Sequence, residues 1–313
     1  MASRTTNQRL FDIVTCLLLF CLPVHQPDMT VAPVIALSHG GGPLPLLGDK
    51  SHEAIVNSLR NRVPKILRLG TPSAPRAIVL VTAHWSTDVP TISSAAHHDL
   101  YYDYYGFPPE CYKVKYPAKG DPAIASEVKR TLEQDGLSAK LDPSRGWDHG
   151  VFVPLSLVNP QADIPIIQVS VLESEDPEQH LRMGKALSRL RERNIAIVGS
   201  GFASTHNMGE MMGLMGGRGK GGGGGSFKAL SDEWNVALTK VVTAKERTDR
   251  WNGLLGWRGL PHSARMHPLG GGEHFMPLIV CAGAAADGEE GGLYRDDFLG
   301  LGIYTYYWGG GVE

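Results

Sequence analysis

Four apolar runs of strand length, each closing on a polar or glycine-rich turn, constrain this chain more than any other feature. Residues 34–37 lead into Ser38-His39-Gly40-Gly41-Gly42, and residues 77–81 into Thr82-Ala83-His84-Trp85. Residues 164–171 run into Leu172-Glu173-Ser174, and residues 195–198 into Gly199-Ser200-Gly201. Runs this short and this continuous suit strands buried on both faces. Between them, residues 51–69, 122–135 and 178–194 carry apolar side chains near helical spacing with charges in the gaps. A further helix runs to about Arg247 with Ser231 as its candidate cap, and an apolar one covers 278–286. Tyr304 to Trp308 reads as a final strand. This alternation specifies an α/β single domain with a central mostly parallel or mixed sheet flanked by helices.

At 313 residues, the chain is long for one domain, but α/β cores of that size are common. The expected organisation is an N-terminal extension over 1–28 and a catalytic domain over 29–313, with a glycine-rich loop near 208–226. The net charge of -2 provides no basic footprint, so a nucleic-acid partner has no electrostatic support and a small neutral or acidic substrate fits better. Cys16, Cys21, Cys111 and Cys281 form no CxxC pair, which argues for reduced thiols and a cytoplasmic setting. Arg4 and Arg9 ahead of the apolar run Cys16 to Leu22 loosely imitate a secretory signal, yet the run falls short of the ~20 apolar residues that span a bilayer. No stable membrane span is expected. Within 208–226, Gly216-Gly217-Arg218-Gly219-Lys220 and the five glycines after it favour a flexible loop. They do not make a phosphate cradle, because Gly221 stands where a P-loop needs Ser or Thr.

Chemistry in open α/β sheets gathers beyond the carboxyl ends of the strands. His39 and His84 each follow a strand directly, and His206 lies in the loop after the strand at 195–198. The glycines after His39 allow close backbone approach, and Trp85 is placed to wall off the site. The segment Gly272-Glu273-His274-Phe275 sets an acid and a histidine side by side ahead of an apolar helix; neighbours diverging by ~100° would not serve one ion together. Glu273 reads equally as a ligand and as a helix N-terminal charge. His25, His52, His97, His98, His180 and His262 are read as surface or structural histidines.

Ser38-His39-Gly40-Gly41, Thr82-Ala83-His84-Trp85, Tyr105-Gly106-Phe107-Pro108, Asp148-His149-Gly150, Ser204-Thr205-His206-Asn207 and Glu273-His274-Phe275 occur in one order along the chain. In that order the pattern resembles the 4,5-DOPA extradiol dioxygenases, relatives of the catalytic B subunit of class III extradiol ring-cleaving dioxygenases. The likeness runs from about Thr30 to Tyr307. The resemblance implies His39, His84 and His274 as ligands of one divalent metal, with His206 or Glu273 as a possible further contact. It also implies His206 as catalytic acid/base and His149 beside the substrate hydroxyls; a loop histidine bonded to Asp148 is the plainer alternative for His149. His274 stands where some relatives carry a carboxylate. Fe(II) is expected for turnover and Zn(II) is an acceptable occupant of such a histidine set.

The implied reaction is extradiol opening of a catechol, such as DOPA or a related aromatic diol, with O2 as co-substrate. Trp85, Tyr105 and His149 are the candidate substrate contacts, and Phe107 suits either the pocket wall or the core. Two other readings share the scaffold: zinc-dependent hydrolysis, and a non-catalytic metal-binding relative. Five site histidines together argue for retained chemistry.

Overall fold

A computed structural model describes residues 31–216 and 224–310. The expected extension over 1–28, with Cys16, Cys21 and His25, lies outside those residues, as does the glycine tract 217–223. Strands β1 (Val34–Ser38), β2 (Ala77–Thr87), β3 (Thr91–Ser93), β4 (Lys140–Asp142), β5 (Ile166–Leu172), β6 (Ile195–Gly201), β7 (Gly292–Phe298) and β8 (Leu301–Trp308) form one mixed sheet in the order β4-β3-β5-β2-β6-β1-β8-β7. The main helices are α1 (Glu53–Asn61), α2 (Pro122–Gln134), α3 (His149–Val158), α4 (Pro177–Arg191), α5 (Met208–Met215), α6 (Gly224–Val242), α7 (Arg247–Leu255) and α8 (Met276–Ala284). The chain is thus the expected α/β single domain. Among the described residues no helix is long and apolar enough to cross a membrane.

The four apolar runs become the parallel centre, β5-β2-β6-β1, and nearly all of their side chains are buried. Strands covered on both faces need no polar alternation, so their sequences read as solid apolar runs. The antiparallel hairpin β7–β8 extends the sheet beyond β1, turning at Leu299 and Gly300, both in the left-handed region. Helix α8, apolar all round, is wholly buried. It lies tight against α4, where a Cβ on Gly184 would come 2.0 Å from the Val280 carbonyl oxygen.

Three expectations change. The segment 51–69 is not one helix: after α1 the chain breaks and restarts as a single turn over Val63–Ile66, with Pro64 in its first turn. Ser231 does not cap a helix but sits buried inside α6, which packs Phe227, Trp234 and Leu238 into the core. Part of the predicted glycine loop is ordered, because Asn207 caps α5 by accepting the Glu210 N–H at 3.2 Å. α3, α7 and β7 were not anticipated. The near-continuous apolar stretch of α3, with Pro154 inside it, hides its helical period.

Candidate metal centre

Five histidines meet at the carboxyl end of the sheet. His39 leaves β1 directly. His84 lies where β2 slips register against β5 between Thr82 and Ser86, a bulge that turns residues 83–85 out of the ladder. His149 opens α3. His206 follows β6, its backbone N–H held by the Met266 carbonyl at 2.9 Å. His274 precedes α8, and its carbonyl accepts the Phe202 N–H at 2.9 Å, tying it to the end of β6.

Three ring nitrogens converge: His84 Nε2 is 3.1 Å from His39 Nε2 and 3.3 Å from His274 Nε2. The network behind the rings sets their tautomers. Pro154, lacking an N–H, leaves the Gly150 carbonyl free within α3, and Ser200 Oγ donates to it. Having spent its proton, Ser200 Oγ accepts from His39 Nδ1 at 3.0 Å. His274 Nδ1 donates to Glu273 Oε1 at 2.7 Å, and His84 Nδ1 faces Asp103 Oδ2 at 3.4 Å. With each Nδ1 carrying the proton, three Nε2 lone pairs face one another, an arrangement that is repulsive without a cation between them. Bonds of about 2.0–2.1 Å to one metal place neighbouring imidazole nitrogens roughly 3.0–3.4 Å apart, which matches these spacings.

Burial reinforces this. It is the largest cause holding His39 and His274 well below the ordinary imidazole range, with the neighbouring histidines adding to it. His84 is lowered to about 3, again chiefly by burial and then by His149, against the opposing pull of Asp103. Neutral imidazoles are metal ligands in waiting. Purely by proximity the donors fall into two groups, His39 with His84 and His149, and His206 with Glu273 and His274, each within 4.8 Å. The short Nε2–Nε2 spacings join His39, His84 and His274; His149 makes none of them, its Nδ1 meeting Asp103 Oδ1 at 2.8 Å and its ring lying tilted at 3.8 Å from that of His84. The His206 ring lies 3.3 Å from that of His274, with Nδ1 3.5 Å from Glu273 Oε1.

The acids stand behind the rings. Burial alone would raise the Asp103 carboxyl, but hydrogen bonds and charge from His149 and His84 outweigh it and hold the group low. Glu273 is held low in the same way by His206. Sequence reasoning missed Asp103, which sits in the run Tyr101-Tyr102-Asp103-Tyr104-Tyr105; an acid among four tyrosines was its one signal. The alternative pairing of His149 with Asp148 does not form. Asp148 instead bonds Thr82 Oγ1 at 2.8 Å and Arg145 Nη2 at 3.2 Å, and its carboxyl is raised to about 6, mainly by burial.

A cavity of about 400 Å³ opens over the five histidines. Tyr105 and Phe107 line it, and Tyr105 is 91% exposed at the rim. Trp85 does not: it is buried, with the Arg145 guanidinium 5.2 Å from its ring, because the bulge that presents His84 turns its neighbour away. His52, read as structural, props the site. It accepts the Gly41 N–H at Nε2 (2.9 Å) and holds Asp49 through Nδ1 (2.8 Å). Beside it, Gly40 at φ +81° has no room for a Cβ, which would meet Pro45 at 2.4 Å. His98, His180 and His262 bond to nearby backbone or to Glu233, away from the cavity.

Comparison with known proteins follows the same line. Residues 33–298 match the family described as the catalytic LigB subunit of aromatic ring-opening dioxygenase. A protein named dioxygenase tasH, from Hapsidospora irregularis, is 61% identical over 285 residues, covering 90% of this chain and 87% of its own. The 4,5-DOPA dioxygenase extradiol of Beta vulgaris is 32% identical, covering 86% and 92%. The crystal structure of an uncharacterized protein from Escherichia coli K12 shares the fold, with a TM-score of 0.64 at 23% identity over 88% of this chain and 99% of that one.

Proposed function

We propose, from the premise that this chain belongs to the LigB family of aromatic ring-opening dioxygenases and is an oxidoreductase of the extradiol class, that it opens an aromatic diol at a mononuclear Fe(II) held by His39, His84 and His274. The observation that carries the ligand assignment is the convergence of three Nε2 atoms whose Nδ1 partners fix them as acceptors. Zn(II) suits the same donors and would occupy the site without supporting turnover. When bound, iron supplies a Lewis acid for the diol oxygens and a path for electrons from ring to O2.

The chain's own groups orient the ring and handle its protons. His206, stacked on the His274 ring and backed by Glu273, is positioned to take a proton from a diol hydroxyl and return it as the ring opens. His149, held by Asp103, lies across the site beside His84, where it contacts the second hydroxyl or O2. Tyr105 flanks the substrate at the rim. DOPA, named in the relatives from Beta vulgaris and Portulaca grandiflora, serves as the reference diol.

The test is anaerobic reconstitution with Fe(II), followed by oxygen uptake and the yellow ring-opened product on adding catechol, caffeate or DOPA. His39→Ala is expected to lose both iron and uptake, and His206→Ala to keep iron but lose uptake. Fully iron-loaded protein that consumes no oxygen with any of these diols would overturn the reading.

A further inference from the structure

One wall of the cavity is uniform in its chemistry. Met208, Met211, Met212 and Met215 all line it, at positions i, i+3, i+4 and i+7 of α5, so one face of that helix is thioether. Met211 is buried, while Met208, Met212 and Met215 are 53%, 64% and 47% exposed. Apolar area left open to water costs free energy unless something covers it, and here it is continuous with the histidine site. Leu44, Phe107, Phe202 and Phe298 extend the apolar lining. Among the described residues that line the cavity none is Lys or Arg, and the carboxyl there is Asp103. Away from the histidines, a substrate carboxylate would therefore meet thioethers, aromatic rings and a like charge.

We propose that the natural substrate is an aromatic diol bearing an uncharged, apolar substituent, whether alkyl, aryl or a fused ring, and that this substituent lies on the methionine face of α5. The proposal rests on the ring-opening reading above and narrows it to a substrate class. Methionine suits this role: unbranched and polarizable, it moulds to an irregular apolar group and makes favourable contacts at aromatic edges. The diol binds at the histidines through its oxygens, so discrimination between diols by their substituents falls to the methionine face.

The experiment separates binding from turnover. Zn(II)-loaded protein, redox-inert, is titrated calorimetrically with catechol, 4-methyl-, 4-ethyl- and 4-butylcatechol, 2,3-dihydroxynaphthalene, 3,4-dihydroxybenzoate and DOPA. The same diols are then given to Fe(II)-loaded protein for kcat/KM. The expected result is affinity rising about two- to fourfold per added methylene, with both carboxylates weaker than the ethyl compound in binding and in kcat/KM. Met212→Lys is expected to lower the ratio of butylcatechol to dihydroxybenzoate affinity at least several-fold. A flat alkyl series, or carboxylates bound as well as the alkyl compounds, overturns the substrate class while leaving ring opening intact. If no diol binds or turns over, the ring-opening reading itself has failed, and this inference with it.

Discussion

Each Nε2 that turns toward the proposed metal position is set there by the group that meets Nδ1 of the same ring. His39 presents Nε2 because Ser200 occupies Nδ1, and Ser200 is available because Pro154 cannot satisfy the Gly150 carbonyl. Asp103 serves two rings at once, His84 and His149, and also accepts the His149 backbone N–H at 2.9 Å. Replacing it with Asn keeps the shape and removes the charge. Asp103→Asn is expected to weaken metal affinity about 10- to 100-fold, the usual loss when a partner behind a ligand is changed. Competition against a chelator of known affinity measures this, and unchanged affinity together with unchanged turnover would show that Asp103 does not tune the site. Glu273 has the corresponding place behind His274, its carboxylate accepting from Nδ1.

At the level of elements, the site depends on how closely α8 lies to α4, since His274 enters two residues ahead of α8. Gly184 and Gly283 permit that approach: a Cβ on Gly283 would come 2.4 Å from the Leu181 carbonyl oxygen, and one on Gly184 meets Val280 as described. Gly184→Ala must push the helices apart, an overpacking cost of about 1–3 kcal/mol, expected to lower Tm by several degrees and to weaken metal retention. Gly213→Ala in α5 is the control, because nothing lies within 4 Å of its Cβ position. There the change should be neutral or stabilising by up to ~1 kcal/mol, since alanine favours helix. Thermal melts of apo and metal-loaded protein check both; equal Tm for Gly184→Ala and the parent would mean the packing relaxes without cost.

For the whole molecule, buried neutral histidines outside the metal set tie stability to pH. His180 is lowered to about 4 and His267 to about 3, each mainly by burial and each against a backbone hydrogen bond that raises it. Their folded pKa values lie below the unfolded value near 6.5, so between the two the unfolded chain binds more protons. Their stabilising contribution is whole above pH 6.5 and is lost progressively as pH falls towards 4 and then 3. The slope is up to about 1.4 kcal/mol per pH unit per group. Urea titrations at pH 7.5, 6 and 5 on metal-free protein should show this decline. His180→Gln, which keeps a polar side chain without the titration, should flatten it in part. A midpoint that does not move between pH 7.5 and 5 would contradict the assignment.

The sequence by itself determined the architecture and the neighbourhood of the chemistry. Local apolar runs and turns mark buried strands whatever lies beside them, and a histidine directly after such a strand must arrive at the carboxyl edge, which is why His39 and His84 were legible. Tertiary structure decided the rest. Asp103 is 46 residues from His149 and Ser200 is 161 from His39, so no local pattern links them. Trp85 was misread because a bulge in β2, set by pairing with β5, reverses which neighbour faces the cavity. Ser231 and the methionines of α5 turn on the same point: capping preference and glycine content are local, whereas burial and the wall of a pocket exist only once distant segments have closed on each other.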